Sequence, residues 1–240
     1  MSIPFKWVSF RNTSEFQPFC LQNDFACKTN LFIKRIVPPQ GGGMEIVMQN
    51  TSIIIAGVGG QGSLLASKLL GHLLLQEGFD VKVSEVHGMS QRGGSVVTYV
   101  RFGNRIYSPI IDRGEADYIV SFECMEAARR LPCLKKGGTI IVNTQKIDPM
   151  PVIIGAAKYP DGILDNIKKM GVHIDAIDAL SLAGEAGSIK AVNIVLLSRL
   201  ATYFPFAKET WLKAIEETVA PKFKEMNQRA FLLGWEKASV

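Results

Sequence analysis

The stretch Ser52-Ile-Ile-Ile-Ala-Gly57-Val-Gly59-Gly60-Gln61-Gly62 decides the fold. Its first half is a short β-branched run without polar alternation, the pattern of a strand buried on both faces. Its second half matches GxGxxG. Gln61 to Gly78 follows, rich in leucine and alanine, and predicts a helix. A strand, a glycine turn and a helix in that order open an α/β unit.

Working outward, Asp80 to Val86 alternates and predicts a second strand, and Ser95 to Phe102 a third. Gly103-Asn104 with Arg105-Ile-Tyr107 predicts a hairpin after it. Only nine residues separate Glu85 from Ser95. A parallel crossover needs a dozen or more, so the third strand is expected to pair antiparallel. Strands are expected again at 116–122, 139–143 and 172–176, with helices at 123–134 and 161–170. From Leu180 onward the pattern is mostly helical, and a stripe of Phe223, Met226, Ala230 and Leu233 follows Pro221. The expected fold class is α/β: a three-layer-like sandwich with a Rossmann-like first βαβ, a β-hairpin insertion and a helical C-terminal part.

Composition narrows the function. Of 240 residues, 47% are hydrophobic and 20% charged, which supports a packed core and argues against intrinsic disorder. No uninterrupted apolar run is long enough to span a membrane. Four cysteines without a CxxC pair argue against a disulfide scaffold and against a cysteine-ligated cluster. The net charge of +5 is uneven: residues 1–43 hold five basic and two acidic residues, so most of the excess sits there. That is poor ground for nucleic-acid binding, which needs a clustered basic face.

Residues 1–43 differ from the rest. They carry no sustained period and end in Pro38-Pro39-Gln40-Gly41-Gly42-Gly43, a breaker-rich boundary before Met44. They are expected to be an extension, disordered or upstream of a native start at Met44 or Met48. The alternative is a real tail that touches a partner. Residues 44–240 are expected to form the functional domain.

Two loops carry the chemistry. Gly57, Gly59, Gly60, Gln61 and Gly62 let the backbone approach an anion at a helix start. Glu85, at the end of the second strand, lies near where a ribose-binding acid is expected. The same glycines also suit packing alone. The second loop, Glu85-Val-His87-Gly88-Met89-Ser-Gln91-Arg92-Gly93-Gly94, displays His87, Met89, Gln91 and Arg92 between glycines. An arginine fork beside a free backbone suits a phosphate or carboxylate. A long structural hairpin loop explains the same residues.

Taken together, these loops resemble the gamma domain of 2-oxoacid:ferredoxin oxidoreductases. Phe122-Glu123 with Glu126-Ala127, Ala183-Gly-Glu-Ala-Gly187, Asn193, Leu196-Leu197 and the stretch Asn227 to Gly234 extend the likeness over 51–236. They resemble the free-standing beta subunit of the indolepyruvate type. Ser198 departs from the pattern, where glycine is usual.

The resemblance implies a subunit, not a complete catalyst. Such enzymes decarboxylate a 2-oxoacid, here expected to be an aryl pyruvate such as indolepyruvate. They pass electrons to ferredoxin and release an acyl-CoA. Thiamine diphosphate, Mg²⁺ and [4Fe–4S] clusters are expected in a large alpha subunit, with CoA as co-substrate and no cofactor bound by this chain alone. The two loops are the expected cofactor-binding residues, and no catalytic or metal-ligating residue is assigned. Ferredoxin is the expected electron acceptor, and the compartment the cytoplasm. Other readings are a free-standing nucleotide-binding oxidoreductase using the glycine loop and Glu85, and a non-catalytic scaffold.

Cys124 and Cys133 are expected to be core thiols. His72 is expected to be packed or at an interface. Lys135-Lys136 and Lys168-Lys169 are expected near helix C-termini, where cations favour the helix dipole.

Overall fold

The computed structural model describes residues 50–86 and 94–237, together with the backbone of three short strands, β1 (Lys6–Ser9), β2 (Ile33–Val37) and β3 (Glu45–Met48). The remainder of the extension lies outside the described residues, and so does most of the second loop, 87–93.

The expected opening forms. Strand β4 (Thr51–Val58) leads into helix α1 (Ser63–Gln76), then strands β5 (Asp80–Val86) and β6 (Ser95–Gly103). Strand β7 (Ala116–Ser121), helix α2 (Cys124–Arg130) and strand β8 (Leu134–Asn143) follow. A four-residue helix α3 (Met150–Ile153) precedes helix α4 (Ile163–Lys169) and strand β9 (His173–Ile177). Four helices close the chain: α5 (Ala179–Ala186), α6 (Val192–Ala201), α7 (Lys208–Thr218) and α8 (Lys224–Glu236).

The main sheet is mixed, in the order β5-β6-β4-β7-β8-β9, with β1 added antiparallel along β5. Strands β4, β7, β8 and β9 are parallel to one another. Strand β6 is antiparallel to both its neighbours, as the short connection requires. The hairpin is therefore β5–β6. The expected strand at Arg105–Tyr107 does not form, and 104–115 is irregular chain that returns to β7.

Helices cover both faces, which explains the unbroken isoleucine run. Ile53 and Ile55 face a core shared with α1, α6, α7 and α8, while Ile54 and Ala56 face a second core with α2 and α4. All three isoleucines are fully buried. Each contributes roughly 1.5–3 kcal/mol by leaving water.

Helix α6 is buried on all sides, so it is apolar apart from Asn193, Ser198 and Arg199. Its one charge, Arg199, is paired. Arg199 donates from Nη2 to Asp175 Oδ2 at 2.7 Å and from Nε to both carboxylate oxygens, and Tyr203 adds a hydroxyl donor at 3.1 Å.

Two lysines fall elsewhere than expected. Pro132 ends the α2 region in a 3-10 turn, so Lys135 and Lys136 open β8 instead of closing a helix. Lys135 pairs with Asp117 at 3.0 Å. Lys168 and Lys169 do occupy the last turn of α4.

Candidate functional site

The chain leaves β4 toward one face of the sheet, through α1, and leaves β7 toward the other, through α2. This reversal opens a crevice at the C-terminal ends of parallel strands, the place where open α/β sheets bind ligands.

The glycine loop borders that crevice. Gly62 adopts φ 86° where it caps α1, a left-handed conformation that other residues resist. A Cβ there would also meet Asn193 Nδ2 at 2.8 Å, and that amide donates to Gly62 O at 3.2 Å. At Gly57 a Cβ would press on the Phe122 side chain at 3.0 Å, so glycine lets β4 and the end of β7 approach. Gln61 folds inward. Its Oε1 accepts from Val58 N–H at 2.7 Å, and its Nε2 donates to Phe122 O at 3.3 Å. Gln61 thus sews the loop to the β7 exit, while Gly60 stands at the apex with open space around it.

The second loop springs from the same edge, because β5 runs parallel to β4 and ends there. Gly94, where the chain returns, accepts from Gly59 N–H at 2.9 Å. The structure therefore brings Gly57, Gly59, Gly60, Gln61, Gly62 and Gly94 together. His87, Gly88, Met89, Gln91, Arg92 and Gly93 lie outside the described residues. Glu85 stands apart. Strand β6 separates β5 from β4, which puts the two strands about 10 Å apart. Glu85 accepts from Ser67 Oγ of α1 at 2.8 Å. In a dinucleotide site the acid sits on the strand beside the glycine loop; here another strand occupies that position.

Across the crevice, Glu123 caps α2. It is 1% exposed, and its Oε2 accepts from Glu126 N–H at 3.0 Å. Its Oε1 accepts from Ile147 N–H at 3.2 Å and from the Tyr159 hydroxyl. Burial and then the Glu123 carboxylate push the Tyr159 phenol above its usual range. Glu126 is equally committed: Ser95 Oγ donates to it at 2.5 Å and Arg129 Nη1 at 2.6 Å. Between these groups lies a cleft of about 230 Å³, walled by Val58, Gly94, Met125, Arg129, Pro149 and Met150 among others. Its carboxylates are spent on protein donors. It offers an apolar wall with the Arg129 guanidinium at its rim, an arrangement for contact rather than for moving a proton.

Cys124 donates to Asn143 O at 3.6 Å, and burial, then Glu123, pushes its thiol up to about 11. It is a core thiol. His72 joins α1 to α7, bonding Glu217 Oε2 at 2.9 Å on the outer surface. Among the described residues, no group of three or more His, Cys, Asp or Glu could hold a metal ion, and no helix is long and apolar enough to cross a membrane.

The sequence reading missed Tyr159 and Ile147. Neither belongs to a periodic segment, and only the fold carries them to Glu123.

Residues 52–237 match the family of pyruvate ferredoxin/flavodoxin oxidoreductases. The chain is 46% identical over 194 residues to indolepyruvate oxidoreductase subunit IorB of Thermococcus kodakarensis, covering 78% of this chain and 95% of that protein. It is 27% identical to the pyruvate/ketoisovalerate oxidoreductases common subunit gamma of Pyrococcus furiosus, covering 77% and 95%. A keto/oxoacid ferredoxin oxidoreductase gamma subunit from Geobacter sulfurreducens shares the fold, with a TM-score of 0.58 at 23% identity over 78% and 96%. So does the 2-oxoglutarate:ferredoxin oxidoreductase of Magnetococcus marinus, with a TM-score of 0.60 at 19% identity, covering 78% of this chain but 30% of that longer one. The family match over residues 52–237, together with 46% identity across 95% of a relative's length, places this protein in the pyruvate ferredoxin/flavodoxin oxidoreductase family.

Proposed function

We propose that this chain is the small subunit of a 2-oxoacid:ferredoxin oxidoreductase that acts on an aryl pyruvate such as indolepyruvate. The observation that carries the reading is the 46% identity across 95% of the length of a subunit of an indolepyruvate oxidoreductase. In the proposed reaction the carboxylate leaves as CO₂, a thioester bond forms to CoA, and the electrons pass to ferredoxin. In this reading thiamine diphosphate, Mg²⁺ and the iron–sulfur clusters belong to a large alpha subunit. The complex works in the cytoplasm.

The role left to this chain is to present its cleft and the adjoining loops to the large subunit. Its glycine loop and the exit of its second loop meet at one edge, tied by the bond from Gly59 to Gly94. Within this reading, loop 87–93 reaches CoA or the large subunit, and Arg92 supplies the charge.

The test is to produce the chain with the large subunit encoded in the same genome and follow viologen reduction. The expected result is CoA-dependent reduction with indolepyruvate, absent when either chain is left out. Full activity of the large subunit alone would overturn the reading. Faster turnover of pyruvate than of indolepyruvate would overturn its substrate.

A further inference from the structure

We infer that the strap between Ile147 and Tyr159 is the surface on which the large subunit docks; the inference rests on the subunit reading above. The strap is a loop closed on one atom. Ile147 N–H and the Tyr159 hydroxyl, at its two ends, both donate to Glu123 Oε1. Compact surface loops with their ends held together are frequently functional. Placing a buried carboxylate under a surface loop costs desolvation, which these donors offset.

What the strap presents is apolar. Pro149 to Ala157 is a run of nine uncharged residues between Asp148 and Lys158. Within it Met150, Ile153 and Ile154 are 66%, 66% and 68% exposed. Three large apolar side chains turned outward within five residues form a patch, unlike singly scattered exposed residues. Polar side chains would serve a solvated loop at no cost.

Position selects the occupant. The strap follows β8 and so stands at the C-terminal edge of the parallel strands, the edge that carries both loops. Pro149, Met150 and Pro151 also form one wall of the cleft. A partner that docks over the cleft mouth also meets the strap, since the two share these residues. In the Magnetococcus protein this fold is 30% of a longer chain. This chain matches 95% of the length of a protein named as a subunit, and within the subunit reading the occupant of the strap is the large subunit.

The experiment uses the full chain and the separately produced large subunit, with affinity measured by titration calorimetry. Ile153→Ser combined with Ile154→Ser should raise Kd about tenfold or more while leaving the thermal unfolding of the free chain unchanged. Tyr159→Phe, which frees one end of the strap, should raise Kd by a smaller factor. Met170→Ser is the control, since Met170 is 69% exposed at the opposite edge of the sheet, and it should bind as the parent does. Equal affinity of the double serine variant and the parent would overturn the inference and leave the subunit reading standing. Failure of the parent to bind the large subunit at all would overturn that reading as well. Concentration-dependent dimerisation of the free chain that the serine substitutions abolish would assign the patch to a second copy, and overturn the inference.

Discussion

Gly234 of α8 lies directly against Ser198 of α6: a Cβ at Gly234 would fall 2.1 Å from Ser198 Oγ and 2.8 Å from Val195 O. The hydroxyl is itself fixed, donating to Val195 O at 2.7 Å. Ser198 is the departure from the family pattern noted in the sequence, and the glycine opposite makes room for it. Gly234→Ala should cost about 1–3 kcal/mol by overpacking, seen as a lower urea midpoint. Adding Ser198→Ala should recover part of the loss, because the clash with the Val195 carbonyl remains. A Gly234→Ala chain as stable as the parent would show that the two helices separate freely.

The pair of Asp175 and Arg199 makes a larger prediction. Asp175 is fully buried and Arg199 is 9% exposed. Asp175→Asn leaves a cation between α6 and the sheet with weaker acceptors, chiefly Lys237 O. The expected cost is about 3–5 kcal/mol, measured by chemical denaturation. Tyr203→Phe removes one neutral donor and should cost about 1 kcal/mol.

Alkaline pH should unfold the protein earlier than its composition alone implies. Burial pushes the Cys124 thiol up to about 11, and it pushes the Tyr118 and Tyr203 phenols above their usual range. Each group keeps its proton in the folded chain and gives it up more readily once unfolded. The stability they contribute is complete below about pH 9, the unfolded thiol range, and is lost as pH rises through the folded values. The urea midpoint should fall steadily from about pH 9 upward, less steeply in Cys124→Ala. At pH 8 the native thiol should react slowly with a disulfide reagent and quickly after denaturation.

Arg92 is the functional prediction. A charge-assisted hydrogen bond lost from CoA or from the large subunit costs roughly 1.5–3 kcal/mol. In the assembled enzyme Arg92→Ala should raise the CoA KM, or weaken assembly, about ten- to a hundredfold. Arg92→Lys should recover only part, since an ammonium lacks the planar fork. Unchanged kinetics and unchanged assembly would make the loop a structural hairpin.

Much of this fold is legible because its causes are local. A strand covered on both faces needs the unbroken run at Ile53–Ile55, and the eight-residue link from β5 forces β6 to run antiparallel. The site is half legible for the same reason. Glycines that turn and cap announce themselves at Gly57 to Gly62. The opposite wall is built by tertiary placement: Glu123 reads as an acidic helix start, yet its partners Ile147 and Tyr159 come from aperiodic chain. Asp175 and Arg199 are similarly silent, since neither strand nor helix periodicity says which buried charges meet. Arg105–Tyr107 misleads because Gly103-Asn104 has turn chemistry, while the strand that pairs with β6 lies before it.

The enclosure of α6 bears on how the subunit is made. The face of the sheet carrying Ile53, Ile55 and Tyr118 is roofed partly by α1 but otherwise by α5, α6, α7 and α8, the last helices to be synthesised. The other face is roofed by α2 and α4, which are complete earlier. A growing chain can therefore close one side while the other stays open until its final helices emerge. Until they do, the apolar side chains of that face stay in contact with water. A chain that ends before α6 therefore lacks most of the cover of that face.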